Sequence, residues 1–323
     1  MKEIGGYFEL ELMDSETFPY SGRVLVNSGC NAIEYILKSL DVVKCVWIPY
    51  FICDSVLKSF SRTGISYRFY HINERLELSE KISLGNDEYL LFTNYYGIKD
   101  KYIQELVVKY KGHLIVDNAQ AFFAEPIEGV PTVYSPRKFF GVPDGGIVCG
   151  IVQGTTQIME IETSFDKCSH LLKRYDLGAS AAYNDFKEND VAVASSELKQ
   201  MSNLTYSLLR SIDYEKVKMI RQQNFETLDK ALEMYNQLSI VIQEKHEAPL
   251  VYPYKIPNGN ELKSYLIQNK IFCATYWPNV RDWCKPTDIE YQLMENVVCL
   301  PIDQRYGDED MNRIVKLILT HMA

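Results

Sequence analysis

The 323-residue sequence has no Cys-x-x-Cys pair among its eight cysteines, at positions 30, 45, 53, 149, 168, 273, 284 and 299. The paired spacing of metal and redox motifs is therefore missing. No apolar run approaches the ~18 residues of a membrane span. No block of Lys and Arg stands out, and 34 basic against 43 acidic residues leave a formal net charge of −9. That balance argues against nucleic acid as the main partner. An anionic substrate would have to be met by local Arg and Lys side chains, not by the global field. Internal repeats and low-complexity stretches are absent. The first residues, MKEIGGYFELEL, contain no apolar core of signal-peptide type. Cys45, Cys149 and Cys299 sit in apolar runs, where a reduced thiol packs as a small hydrophobe. A reducing cytoplasm is the expected setting.

What is present describes a globular chain. Hydrophobic residues make up 46% and charged residues 24%, enough for one large or two moderate domains. From 23 to 150 the pattern alternates between short apolar runs and helical spacing. Arg23–Val26, Cys45–Ile48, Ser66–Tyr70 and Glu88–Thr93 are expected strands. Ile33, Ile36, Leu37 and Leu40 recur at helical spacing, so a helix is expected from about Cys30. Ser28-Gly29 just before it is an ordinary helix cap or an anion site, because the first N–H groups of a helix are free and its dipole favours negative charge. Ile103, Leu106, Val107 and Tyr110 give another helix. Asn94 and Tyr95 follow a buried strand, where parallel sheets carry ligand groups, and are candidate substrate contacts. This alternation predicts an α/β fold with a mainly parallel sheet.

The chain is organised around HLIVDNAQAFFAEPIEGVPTVYSPRKFFGVPDGG, from His113 to Gly146. Leu114-Ile115-Val116 predicts a buried strand that delivers Asp117 at its end. A second strand-like run, Thr132-Val133-Tyr134, leads to Ser135-Pro136-Arg137-Lys138, and Gly145-Gly146 opens a third. One acid at a strand end and one lysine 21 positions later is what pyridoxal 5′-phosphate (PLP) chemistry needs. The lysine forms a Schiff base and the acid keeps the pyridine nitrogen protonated, so that the ring accepts electrons. Alone, the Asp would be a helix cap and the Lys a solvated charge. Arg137, beside Lys138, is a candidate cation for an anionic substrate.

VDNAQ and YSPRKFFGVPDGG resemble the fold-type-I, PLP-dependent sugar aminotransferases of the DegT/DnrJ/EryC1/StrS family. The resemblance implies that Asp117 pairs with the pyridine nitrogen, that Gln120 bonds near the ring hydroxyl, and that Lys138 is the Schiff-base lysine. It makes Ser135 a contact to the phosphate or to the lysine adduct. Ser28-Gly29-Cys30-Asn31 is similar to the family's phosphate-holding segment, with Cys30 where the family has Thr. The backbone amides of Cys30 and Asn31 then matter more than the side chain. The family also stacks an aromatic ring on the cofactor. Tyr50 and Phe51 qualify by chemistry, whereas a gap-free count back from Gly64 puts Cys53 there. Ala182–Phe186 is similar to a loop whose Asn reaches the phosphate of the neighbouring subunit. That would be Asn184, although Phe186 stands where the family has Arg, and a turn Asn is the plainer reading.

In the second half, Asp213 is expected to cap a helix from Tyr214 to about Tyr235. Ser239–Ile242 is an expected strand, Glu261–Asn269 a helix, and Asn296–Ile302 a strand leading to a last helix capped by Asp308. The resemblance implies a large PLP-binding domain, 1–212, and a smaller C-terminal α+β domain, 213–323. Helices are expected on both faces of the large sheet. It further implies transfer of an amino group, from glutamate, to a nucleotide-linked keto-sugar for surface polysaccharide or related amino-sugar synthesis. A homodimer is expected as well, and the aromatic arm with Tyr7, Phe8, Phe18 and Tyr20 suits an interface. The alternatives are a non-catalytic or regulatory relative and a PLP enzyme of another reaction class.

Overall fold

Leu114, Ile115 and Val116 have no polar side chain to solvate, and in the computed structural model they are buried on both faces of a strand. The structure describes residues 6–13, 15, 17–151, 159–238 and 248–322. The expected strand Ser239–Ile242 lies outside the described residues.

Seven strands form the main sheet: β1 (Val24–Val26), β2 (Cys45–Pro49), β3 (Ser66–Tyr70), β4 (Glu88–Thr93), β5 (Leu114–Asn118), β6 (Thr132–Tyr134) and β7 (Gly146–Cys149). Their order is β1-β7-β6-β5-β4-β2-β3. The pairs β2/β3, β2/β4, β4/β5 and β5/β6 are parallel, and β7 runs against both of its neighbours. The sheet is mainly parallel, as expected, and β7 makes it mixed.

Side chains alternate across the strands, so each strand feeds two cores. Ile115, Leu91 and Val133 meet α1 (Gly29–Ser39), with its buried Ile33, Ile36 and Leu37, and α2 (Leu57–Thr63). Leu114, Val116 and Phe92 face the other way, toward Ile103 and Leu106 of α3 (Asp100–Tyr110). Asp117 stands two residues after Ile115, so the alternation directs it to the α1 side.

After β7 the chain forms α4 (Ser169–Leu177) and α5 (Ala179–Ser195), which pack on each other as a hairpin, then α6 (Asn203–Arg210). The expected long helix is α7 (Tyr214–Leu232), with the Asp213 carboxylate accepting from Lys216 N–H. Tyr214 and Val217 pack into the larger core, whereas Phe225, Leu228 and Leu232 pack against a second sheet. That sheet pairs β8 (Val251–Lys255) with β9 (Val297–Pro301), antiparallel. It is covered by α8 (Gly259–Gln268) and α11 (Asp308–Met322). α9 (Val280–Trp283) and α10 (Ile289–Asn296) lie between the two layers of sequence. From α10 the buried Glu290 reaches back to the Ile72 N–H at 2.7 Å and to His71. The expected aromatic arm divides. Phe18 and Tyr20 are buried among Phe122, Tyr134, Tyr206 and Tyr214, while Tyr7 and Phe8 are exposed.

Among the described residues, no helix is long and apolar enough to cross a membrane, and no cluster of His, Cys, Asp and Glu could hold a metal ion.

Candidate active site

The register of β4 against β5 sets Thr93 beside Asp117, and that of β5 against β6 sets Asp117 beside Val133. Two residues past Val133, Ser135 falls on the same side of the sheet. A 3-10 turn, Pro136–Lys138, follows, nucleated by Pro at its first position. This brings Asp117, Ser135 and Lys138 to the carboxyl edge of the sheet, facing the start of α1.

Asp117 is buried. Its Oδ1 accepts the Ala119 N–H at 2.9 Å. Burial pushes its carboxyl above the ordinary carboxylate range, and the Lys138 ammonium, the Ala119 N–H and the Thr93 hydroxyl pull the other way. Lys138 is exposed, and its charge is felt by Asp117, Cys30 and Cys53. Those groups are therefore close to one another.

Ser28 caps α1 by accepting the Asn31 N–H at 3.0 Å. This consumes one of the amides expected to hold an anion. The Asn31 side chain is also engaged, donating to Asn27 Oδ1 (2.7 Å) and the Glu197 carbonyl (2.9 Å) and accepting from Arg62 (2.9 Å). Asn31 thus fastens α1 to the chain after α5. The amides of Gly29 and Cys30 are, among the described residues, the open donors at the helix start. A Cβ on Gly29 would stand 3.3 Å from Ser135 Cβ, so Ser135 closes the side of this cradle. A Cβ on Gly146 would run into the Ser28 carbonyl at 2.1 Å, and Gly145 has φ +123. The Gly-Gly pair is what lets β7 come so close to the helix start.

Cys30 and Cys53 both contact the Ser55 hydroxyl, at 3.3 and 3.0 Å. Burial raises the Cys30 thiol to about 11 and raises Cys53 as well. Both thiols are therefore neutral at physiological pH, acting as weak donors rather than nucleophiles.

The structure redirects several residues read from the sequence. Tyr50 stacks on Phe69 at 4.5 Å and lies 4.5 Å from His71, because its N–H extends the β2/β3 ladder to the Tyr70 carbonyl. Phe51 is fully buried against Trp277 and Tyr95. Both rings are taken up by aromatic neighbours, whereas the Cys53 thiol is close enough to Lys138 to feel its charge. Asn94 is enclosed, donating to Asp100 (2.6 Å) and Asn118 (3.1 Å) and accepting the Lys99 N–H (2.9 Å). Tyr95 is also fully buried, so neither residue lines an opening in this chain. Arg137 turns to α5, where it pairs with Asp190 at 3.3 Å and depresses the His170 pKa, after the larger effect of that ring's burial. Asn184 is exposed in the middle of α5 and not in a turn. Gln120 is fully buried; its Oε1 accepts the Tyr96 N–H at 2.8 Å and its Nε2 has no partner.

Sequence reasoning missed Thr93 and Ser55. Thr93 was legible as the polar end of a buried strand neighbouring the Asp117 strand. Ser55 gave no signal beyond its place at a helix start.

No family model matches the chain, and no curated protein matches it. Solved structures do. The sugar aminotransferase Spr1654 from Streptococcus pneumoniae, in its PMP form, superposes with a TM-score of 0.65 at 14% identity, covering 92% of this chain and 86% of that one. DesV from S. venezuelae, in complex with a ketimine intermediate, gives 0.59 at 18% identity, with 91% and 83% covered. A DegT DnrJ EryC1 StrS aminotransferase from Brucella abortus gives 0.59 at 12% identity, with 95% and 87% covered. The chain has the fold of the DegT/DnrJ/EryC1/StrS sugar aminotransferases.

Proposed function

We propose that this chain is a PLP-dependent aminotransferase. The observation that carries the reading is the convergence of Asp117 and Lys138 at the sheet edge, beside open helix amides. The donor set suits the cofactor's groups. Asp117 has spent one oxygen on Ala119, so the other is available to a ring N–H. The buried Gln120 Nε2 is unpartnered, and a stranded buried polar atom costs ~1–3 kcal/mol. The Gly29 and Cys30 amides with Ser135 suit a phosphate at a helix N-terminus.

PLP, when bound, supplies an aldehyde carbon for the lysine and an electron-accepting ring. The chain does the rest. Asp117 holds a proton on the ring nitrogen, which keeps the ring an acceptor. Lys138 offers an amine not tied to a partner side chain among the described residues. With the cofactor bound, the same amine would be placed to take a proton from the substrate α-carbon as a general base. Ser135 and the backbone of Cys30 would hold the phosphate, with Cys53, which shares the Ser55 hydroxyl with Cys30, beside them as a neutral thiol.

The amino donor is glutamate and the acceptor a nucleotide-linked keto-sugar, in cytoplasmic synthesis of surface polysaccharide or related amino-sugars. The supports are the resemblance around Asp117 and Lys138 and the fold. The working unit is a homodimer, supported by the exposed Tyr7 and Phe8 of the arm and by Phe165, Leu172 and Tyr175 near the α4–α5 hairpin. Asn184, exposed on α5, is the candidate contact to a neighbouring subunit. The large cofactor-binding domain is 1–212 and the small one 213–323, with α7 shared between their cores. The test is incubation with PLP, glutamate and a panel of nucleotide keto-sugars. 2-Oxoglutarate and an amino-sugar are expected in equal amounts, and their absence across the panel would contradict the substrate class.

A further inference from the structure

Lys138 ends a turn whose far side is held from the C-terminal half of the chain. The next residue, Phe139, is buried. Its carbonyl accepts a hydrogen bond from Gln304 Nε2 at 2.8 Å. Gln304 Oε1 in turn accepts from Arg221 Nε at 3.0 Å. The Arg221 guanidinium also lies over the Phe139 ring, 4.6 Å from its centroid. Arg221 is 1% exposed, and its Nη1 donates to the carbonyls of Pro249 (3.1 Å) and Leu250 (3.2 Å). Gln304 stands just after β9 and Arg221 in α7, so two elements of the second core grip one peptide next to Lys138.

On the near side the turn is held lightly. The Lys138 N–H reaches the Ser135 carbonyl at 3.3 Å, and the Phe139 and Phe140 N–H groups share the Pro136 carbonyl at 2.9 Å each. The lysine side chain is exposed. Its aim is therefore set by its backbone. Burial lowers the Arg221 pKa to about 10 and the nearby Asp303 carboxylate pulls it back up, so the guanidinium keeps its charge at neutral pH. A rigid planar fork fixed to three oxygens is a firm anchor for Gln304.

We infer that Gln304 and Arg221 are positioning residues for Lys138, fixing the carbonyl that follows it and hence the arc through which its amine swings. This role rests on the reading of Lys138 as the cofactor lysine. A buried amide–guanidinium pair could equally do no more than satisfy polar atoms, and one substitution separates the two. Gln304→Glu keeps an acceptor for Arg221, now charged, but cannot donate to the Phe139 carbonyl.

The experiment uses the PLP-loaded protein and its Gln304→Glu, Gln304→Ala and Arg221→Lys variants. The wild-type lysine adduct is fixed with borohydride and mapped. Each variant, stripped of cofactor, is then followed by visible absorbance as the adduct re-forms with PLP, and by thermal unfolding and steady-state kinetics. For Gln304→Glu, the account expects a melting temperature within roughly 4 °C of wild type. It expects kcat about tenfold lower with the donor KM within about twofold, and slower adduct formation. Gln304→Ala shows the same kinetic loss plus a lower melting temperature, and Arg221→Lys falls between. A wild-type adduct on another lysine overturns the reading of Lys138 and this role with it. A Lys138 adduct together with wild-type kcat and adduct formation in Gln304→Glu overturns the positioning role alone.

Discussion

At the sheet edge, Asp117 is buried, gives one oxygen to a backbone N–H, and has a carboxyl displaced upward by its burial. On the α4–α5 hairpin, Asp185 is bound by Lys173 at 2.6 Å and by Ser169 at 3.3 Å, which hold its carboxyl below the usual range. The cations divide in the same way. Lys138 is exposed, whereas Arg137, one residue earlier, is already paired with Asp190. Regular structure tends to use up its polar groups locally. Unpartnered polar atoms occur on both sides, His170 Nδ1 and Asn189 Oδ1 on the hairpin and Gln120 Nε2 at the sheet edge, but only at the sheet edge do they stand with a buried carboxylate, a free lysine and open helix amides.

Substitutions on the two sides break this comparison in order of expected size. Lys138→Ala abolishes transamination, while Lys173→Ala on the hairpin leaves kcat within about twofold, since exposed pairs contribute little. Coupled assays of both half-reactions check this. Asp117→Asn lowers kcat by ~10²-fold, about 3 kcal/mol of barrier, because an amide cannot hold the ring proton. Asp185→Asn is expected to be close to wild type, and a variant of Asp117 within threefold of wild type (roughly 0.7 kcal/mol) rules its role out.

Stability sharpens the same contrast. A carboxyl whose folded pKa is raised binds protons more tightly when folded, so ionising it as pH rises through that window weakens the fold. Asp117→Asn should raise the melting temperature of the cofactor-free protein at neutral pH, and the gain should vanish as pH falls below the unfolded-state pKa. Asp185 has the opposite sign, since its lowered pKa gives stability above the unfolded value that is lost as pH falls through the folded one. Its replacement lowers the melting temperature slightly at neutral pH. Scanning calorimetry from acid to neutral pH reads both.

The effect furthest from catalysis concerns the thiols. With Cys30 near 11, its thiolate fraction at pH 8 is about 0.1%. Iodoacetamide should label Cys30 far more slowly than free cysteine, by roughly two orders of magnitude. Peptide mapping after timed alkylation measures it, and labelling at the rate of free cysteine contradicts the buried neutral thiol.

Where local pattern and burial agree, the sequence was legible. Leu114–Val116 specified a strand buried on both faces, Ile33, Ile36 and Leu37 a helix face, and Gly145-Gly146 the start of the next strand. What it did not disclose was side-chain direction after a turn. Tyr50 and Phe51 have the chemistry to cover a ring, yet the β2/β3 ladder sends one to Phe69 and the other into the core. Asn94 has the position of a ligand contact, yet Asp100 and Asn118 from distant segments take its amide. Asn184, in a segment similar to a family loop, lies instead in α5, whose buried Ala182, Asn189 and Val193 are too sparse to announce a helix face. The direction of β7 was equally hidden, since a four-residue buried strand looks alike in either sense.

Borohydride reduction of the PLP-loaded protein, followed by peptide mass mapping, tests the central claim most directly. The account predicts one pyridoxyl adduct, on Lys138, lost in Lys138→Ala and unchanged in Lys173→Ala. An adduct on any other lysine, or none, would contradict it.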